Sequence, residues 1–162
     1  MSMKIKIFTM GGSIDKFYST QKSTFIVGEP QISNILKEAK ASVDVDIESL
    51  FKKDSIDITE DDRLTILEKV KSDPSRHIVI THGTDTMIQT AKALCSIPDK
   101  VIVLTGAMQP AAFKKTDAAF SIGCAITAVQ MLPAGVYLVM NGKVFDPNRV
   151  TKNLELDRFE EI

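Results

Sequence analysis

The sequence offers little for redox or metal chemistry. Only two cysteines and two histidines occur among its 162 residues. Cys95 and Cys124 both fall inside predicted helices, where a free cysteine behaves as a small buried hydrophobe, so two reduced core thiols are expected rather than a disulfide. His77 and His82 belong to no cluster with ligand spacing, so neither a metal site nor a cofactor is expected. No sign of charge dominates either. A net charge of -1 gives no electrostatic footing for nucleic acid or an anionic membrane surface. No apolar run approaches the ~20 residues of a membrane span. The opening MSMKIKIFTM enters a strand pattern at once, without the apolar stretch and small-residue cleavage site of a signal peptide, which predicts a cytoplasmic protein. The GxGxxG fingerprint and the glycine-lysine P-loop are also missing, so nothing beyond general architecture favours a nucleotide binder.

What is present is a globular composition, 44% apolar and 25% charged, of a size to bury one proper core. Three stretches share a pattern of apolar run followed by small and hydroxyl residues: Ile5 to Asp15, His77 to Met87 and Val101 to Pro110. Runs of Val, Ile and Leu this short and continuous read as buried parallel strands. In open α/β sheets the carboxyl ends of such strands border the ligand crevice. Their turns therefore predict one shared site for a small polar molecule.

Between these runs the pattern alternates strand and helix. Strands are predicted at Lys4 to Thr9, Val43 to Leu50, Ile78 to Thr81, Val101 to Thr105 and Val136 to Met140. The second alternates apolar and acidic residues, as an edge strand would. Helical spacing marks Ile32, Ile35, Leu36 and Ala39; then Leu64, Leu67 and Val70; then Met87, Ile88, Ala91 and Leu94; then Ala118, Ile122, Ala125, Ile126 and Val129. Thr59 is placed to cap the second helix, Glu60-Asp61-Asp62 to complement its dipole and Asp73-Pro74 to end it. Gly11 to Pro30 is too long for a routine connection and reads as a lid or binding loop. Asn141-Gly142 between apolar runs is a strong hairpin signal. The expected fold is α/β: a doubly wound, mostly parallel, Rossmann- or flavodoxin-like sheet with helices on both faces and a C-terminal β-hairpin. Residues 1–150 form the expected domain, and 151–162 a polar tail with Leu154, Leu156, Phe159 and Ile162.

The turns carry the chemistry. Gly11-Gly12-Ser13 can turn tightly, expose amide N–H groups and present a hydroxyl, which suits either an anion or a nucleophile beside an oxyanion hole. Taken alone, it reads first as a plain strand-ending turn. Thr84 and Asp85 follow His82-Gly83 at a helix start, where they serve as cap and first-turn charge. Their predicted place beside the Ser13 turn gives the carboxylate a further use, gripping an ammonium group. His82 is expected to make structural hydrogen bonds.

The strings MGGSI, ITHGTDTM, LTGAMQP with Asp117 following, and GVYLVMNGKVF with RVTKN after it stand in order along nearly the whole chain. Together they resemble the N-terminal domain of bacterial L-asparaginases. The resemblance implies an amidohydrolase with Ser13 as nucleophile after the double glycine, where the family has threonine. It implies a second catalytic group of Thr84, Asp85 and Lys152. It further implies that Gly12 and Gly83 border the substrate, that Ala107 offers its carbonyl to the side-chain amide, and that Ser55 receives the substrate α-carboxylate. Asp85 would also hold the α-ammonium. Such a mechanism is coherent, since an alcohol needs a neighbouring base and a lysine with an ordinary pKa of ~10.4 needs desolvation to supply a neutral amine.

Several residues depart from that pattern. The loop tyrosine is replaced by Phe25, with Tyr18 nearby in the same segment. The polar residue after Ser55 is replaced by Ile56. Asp15 stands where a small residue is usual, and is expected to bring negative charge towards an anionic substrate. The chain ends where relatives continue into a second domain that contributes to a neighbouring subunit's site. Two readings follow. The first is a hydrolase of L-asparagine, weak and with some glutaminase activity, working as a homodimer or homotetramer that covers the apolar tail. The second is a non-catalytic sensor of aspartate or asparagine on the same fold. Retention of Ser13, Thr84, Asp85 and Lys152 together favours the first.

Overall fold

The apolar runs become strands in the computed structural model, which describes residues 3–162. In chain order the first half holds β1 (Lys4–Gly11), β2 (Lys16–Ser19), β3 (Thr24–Val27), α1 (Ile32–Glu38), β4 (Asp44–Lys53) and α2 (Glu60–Ser72). The second half holds β5 (His77–Thr81), α3 (Met87–Leu94), β6 (Val101–Thr105), α4 (Ala118–Met131), β7 (Gly135–Met140), β8 (Lys143–Phe145), β9 (Val150–Asn153) and β10 (Arg158–Glu161). Short 3-10 turns lie at Ser13–Asp15 and Ser55–Asp57.

The main sheet has the order β4-β1-β5-β6-β7-β8, with β8 alone antiparallel. Each strand of a twisted sheet shows alternate residues to opposite faces. Ile5 and Ile7 therefore join Val79, Val101 and Val103 under Ile32, Ile35, Ile122 and Val129 of α1 and α4. Phe8 and Met10 join Ile78, Ile80, Ile102 and Leu104 against Ile66, Val70, Met87 and Leu94 of α2 and α3. The central strands are thus apolar on both faces, as their continuous runs require. The chain passes from β1 outward to β4, then returns to β5 on the other side of β1. That reversal leaves a crevice at the carboxyl ends of β1 and β5, where open α/β sheets bind ligands.

Local signals explain the boundaries. Thr59 and Asp62 form a reciprocal capping box on α2, Thr59 Oγ1 accepting Asp62 N–H at 3.1 Å and Asp62 Oδ2 accepting Thr59 N–H at 2.9 Å. Asn141 and Gly142 both adopt positive φ between β7 and β8, the backbone of a tight hairpin turn.

Four expectations are corrected. Leu64 is 56% exposed, and Arg63 takes the buried side of α2; its Nε donates to Thr90 Oγ1 at 3.2 Å, and the aliphatic stem packs. Cys95 is exposed beyond the end of α3, and Cys124 is only half-buried. Cys95 is open to water and Cys124 only packs against the margin of the core, so neither is a buried core thiol. The long segment after Gly11 is not irregular: β2 and β3 pair antiparallel from Lys16 opposite Val27 to Ser19 opposite Thr24. Aromatic and β-branched residues on either side of the polar turn from Thr20 to Ser23 favour that hairpin. Finally, residues 150–161 form a second hairpin, β9 on β10. Val150 and Phe159 belong to the core, while Leu154, Leu156 and Ile162 are exposed.

Candidate active site

Three turns meet at the sheet's reversal point with no side chain larger than Ser55 between them. Gly12 has φ +91, and a methyl group on it would lie 2.4 Å from Gly83 Cα. A methyl group on Gly83 would lie 2.5 Å from Ser55 Cβ. Only glycine permits this approach of backbone to backbone. Gly12 N–H donates to Lys53 O at 2.9 Å, tying the turn to the end of β4. Ser13, half-buried, opens the 3-10 turn immediately beyond.

Thr84 is buried and Asp85 half open at the start of α3. Lys152 reaches both: its Nζ lies 2.8 Å from Thr84 Oγ1 and 2.7 Å from Asp85 Oδ1. The Lys152 side chain is 15% exposed and that of Asp85 49%. Placement of the lysine comes from the second hairpin. It pairs with the anchored Phe159, whose N–H donates to Asn141 Oδ1 at 2.8 Å. The structure therefore brings together residues 68 positions apart in sequence.

Ser55 is 1% exposed. Its Oγ accepts Asp85 N–H at 3.1 Å, and its carbonyl accepts the Thr86 hydroxyl at 2.6 Å. The residue expected to greet a carboxylate thus also joins two turns, and its hydroxyl keeps a proton to donate. Ile56, next to it, is 69% exposed. Ala107 is buried in a turn held by Asp117, whose carboxylate accepts Met108 N–H at 2.9 Å and Gln109 N–H at 3.0 Å. Phe25 packs edge-on to Tyr18 at 5.4 Å and against Phe113 at 5.6 Å. The first hairpin and the loop after Ala107 thus meet in an aromatic cluster.

His82 plays the structural part expected of it. Gly83 O can only accept, so Nδ1 carries the proton and donates to it at 2.7 Å; Nε2 then accepts the Thr90 hydroxyl at 2.8 Å. Burial, aided by the Arg63 charge and opposed by the Gly83 bond, pushes the imidazole down to about 4. It is neutral at physiological pH and fixes the Gly83 carbonyl beside Thr84. The contributions of Arg63 and Thr90 to this chain had no sequence signal, because they lie on different helices.

Asp15 departs from the expectation of a charge facing the substrate. It is 4% exposed, with Oδ1 accepting Gln31 N–H at 2.9 Å and Oδ2 buried without a partner. Burial raises its carboxyl to about 7. Its two-residue spacing from Ser13 gave no hint of the inward direction. Two further ion pairs were not foreseen: Lys16 with Asp54, joining the first hairpin to the Ser55 turn, and Lys53 with Asp62 at 2.8 Å. Among the described residues no group of three or more His, Cys, Asp or Glu could hold a metal ion, and no helix is long and apolar enough to cross a membrane.

Comparison with known proteins gives a consistent set of relatives. The family model for the N-terminal part of asparaginases matches residues 4–161. L-asparaginase 2 of Escherichia coli is 34% identical over 167 residues, covering 94% of this chain and 47% of that protein. The L-asparaginase of Thermococcus kodakarensis is 32% identical over 139 residues, covering 82% of this chain and 42% of its own. The solved structure of the thermostable L-asparaginase from Thermococcus kodakarensis superposes with a TM-score of 0.85 at 28% identity, covering 99% of this chain and 51% of that one. A probable cytoplasmic L-asparaginase from Campylobacter jejuni gives 0.82 at 27% identity, covering 99% and 53%. The chain spans about half the length of the relatives it matches.

Proposed function

The chain belongs to the asparaginase family, and from that premise we propose that it hydrolyses L-asparagine to L-aspartate and ammonia through an acyl-enzyme on Ser13. One observation carries the reading: Lys152 Nζ stands within hydrogen-bond reach of both Thr84 Oγ1 and Asp85 Oδ1. A site built only to bind has no use for a lysine placed against a hydroxyl.

Ser13 Oγ attacks the side-chain amide carbon, and its proton is relayed through the Thr84 and Lys152 pair to the leaving nitrogen. The carbonyl oxygen gains charge in the transition state. The amides of Ser13 and Thr84 serve as donors to it, each worth about 3–4 kcal/mol of barrier in comparable sites. The C–N bond breaks, ammonia departs, and water cleaves the Ser13 ester to release aspartate. Asp85 holds the substrate ammonium with the carboxylate oxygen that Lys152 does not occupy. The stacked turns fix Ser13, Thr84 and Asp85 just past rigid strand ends, where positioning lowers the barrier.

Ammonia release from asparagine and glutamine tests this. Wild-type turnover should fall by roughly 10^3-fold or more in Ser13→Ala and in Lys152→Met. Equal rates in all three proteins at millimolar substrate would remove the hydrolase reading in favour of a ligand-binding one. The exposed Leu154, Leu156 and Ile162 support a homo-oligomer, and a monomer in sedimentation velocity at micromolar concentration would refute it.

A further inference from the structure

One helix differs from the others in what it shows to water. α2 turns Glu60, Asp61, Glu68, Lys69 and Lys71 outward, and α1 and α3 carry Lys37 and Lys92 in their last turns. α4 has no charged residue over its whole length, Ala118–Met131. Its inner side packs on the sheet through Ala118, Ile122, Ala125, Ile126 and Val129. The outer side leaves Ala119, Phe120, Gly123, Thr127, Gln130 and Met131 exposed. A surface helix ordinarily sets charge opposite its apolar stripe, and an uncharged face with exposed large apolar groups marks a contact surface.

Beside this face an apolar groove of ≈ 620 Å³ runs between α4 and the β7–β8 turn, with Gly123, Cys124 and Thr127 on one wall and Val139 and Val144 on the other. β8 is an edge strand, so no further strand covers that side. Phe120 leans on the turn, since a methyl group on Gly142 would lie 3.1 Å from its Cζ, while most of the ring stays open to water. Lys143, next to Gly142, is the one charged residue lining the groove. It makes no ion pair among the described residues.

This surface is complementary to itself. Phe120, Gly123, Thr127 and Gln130 recur at intervals of three, four and three, the seam of a packed helix pair. A methyl group on Gly123 would meet nothing within 4 Å, so a second helix can approach closely there. A two-fold axis across the middle of α4 sets Phe120 opposite Gln130 and Gly123 opposite Thr127, because both pairs lie symmetrically about Ala125. The same operation carries Lys143 to the C-terminal end of the second copy's α4. That end holds partial negative charge and has no basic residue in its last turn. Two lysines thus meet two helix ends, and the helix dipoles run antiparallel.

We propose that the chain dimerises through α4 and the β7–β8 turn, two copies packing antiparallel about a two-fold axis at the middle of the helix. This does not rest on the hydrolytic reading, and it uses a different surface from the exposed leucines of the second hairpin. With α4 about 21 Å long and the groove extending the face to β8, the pair buries on the order of 800–1,000 Å² in total. That is the low end for a specific complex, so the dimer should dissociate in the micromolar range.

Sedimentation velocity from about 1 to about 200 μM should show a monomer–dimer equilibrium. Gln130→Lys is the decisive variant. It places a cation at the negative end of its own helix, which suits the monomer, and against Lys143 of the second copy, which opposes the dimer. Its dissociation constant should rise at least fivefold, because symmetry repeats the clash, with helical content by circular dichroism unchanged. Lys143→Glu should also weaken association, and the double variant Lys143→Glu with Gln130→Lys should recover it to within about twofold of wild type. A monomer throughout the range overturns the inference. So does a dimer that ignores Gln130→Lys, or a double variant that associates no better than either single one. A dimer lost on changing Leu154 and Leu156 to Lys but kept in Gln130→Lys overturns it too, and moves the interface to the second hairpin. Ammonia release enters none of these readouts, so the hydrolase reading stands or falls separately.

Discussion

Asp15 should make the folded protein less stable as pH rises towards neutrality. Its carboxyl is enclosed, one oxygen holding Gln31 N–H and the other holding nothing. Burial, opposed by the Gln31 bond and aided by the charge of Glu29, raises it from 3.8 to about 7. In the unfolded chain the group loses its proton near pH 3.8, whereas in the folded chain it keeps that proton to about 7. Between those values the native state binds more protons than the unfolded state, so stability falls with rising pH and levels off above the window. At 1.36 kcal/mol per unit the full penalty is about 4 kcal/mol. Relaxation and entering water reduce it to roughly 2–4 kcal/mol.

Asp15→Asn removes the charge, keeps the acceptor for Gln31 N–H and presents an amide where the protonated acid had its hydroxyl. The two proteins should be of equal stability near pH 4, and the variant should pull ahead by roughly 2–4 kcal/mol at about pH 8. Urea unfolding at a series of pH values, extrapolated to water, measures the difference. Wild-type curves alone do not isolate it. Burial would raise the carboxyls of Asp62 and Asp54, but pairing with Lys53 and Lys16, together with hydrogen bonds from Thr59 to the first and from Ile56 and Ser55 to the second, lowers both, and they lose stability on acidification. Subtraction cancels them. A difference that stays constant across pH, or a variant less stable at the alkaline end, would refute the burial argument.

Phe159→Ala should cost about 3–5 kcal/mol, as expected for a large buried ring, because Phe159 is 2% exposed. Ammonia release should fall with it, since Lys152 is its strand partner; full activity in a destabilised variant would break that link, with thermal melts and initial rates as the readouts. His82→Leu strands the Thr90 hydroxyl and the Gly83 carbonyl and should cost on the order of 1–3 kcal/mol in urea unfolding. The pH–rate profile above about pH 5 should keep its shape, because an imidazole pushed down to about 4 is already neutral there; loss of a limb of that profile would make His82 a proton carrier after all.

Strands with both faces buried were legible because their residues admit no other environment. Ile78 to Ile80 and Val101 to Leu104 carry no polar break, and a parallel sheet is the ordinary home for such runs. The reciprocal cap at Thr59 and the turn at Asn141-Gly142 were legible for a different reason, since each is a local hydrogen-bonding or dihedral requirement. The second hairpin was not legible, because its two core anchors, Val150 and Phe159, sit among charged residues and declare themselves only against the rest of the core. Leu64 failed similarly: spacing gives a face to a helix but cannot say that Arg63, by reaching Thr90, will claim it. At the candidate site, residue types pointed to turns that the fold brings together, while direction stayed hidden. Nothing in Ser13-Ile14-Asp15 reveals that the serine looks outward and the aspartate inward.

The candidate site is therefore assembled from two parts of unequal rigidity. Gly12, Gly83 and Ser55 stand just past the ends of adjacent sheet strands, so close that neither glycine has room for a methyl group. Moving any of them means moving the sheet. Lys152 comes instead from a two-stranded hairpin held by Val150, Phe159, a bond to Asn141 and the lysine's own contacts with Thr84 and Asp85, with Leu154 and Leu156 open to water. Segments with few buried contacts open at lower free energy than the core. Opening this one withdraws the lysine from Thr84 and Asp85 while the turns remain in place. Binding and chemistry consequently separate along structural lines: perturbing the strand ends disturbs the fold itself, whereas perturbing the hairpin leaves a folded crevice that has lost its Lys152.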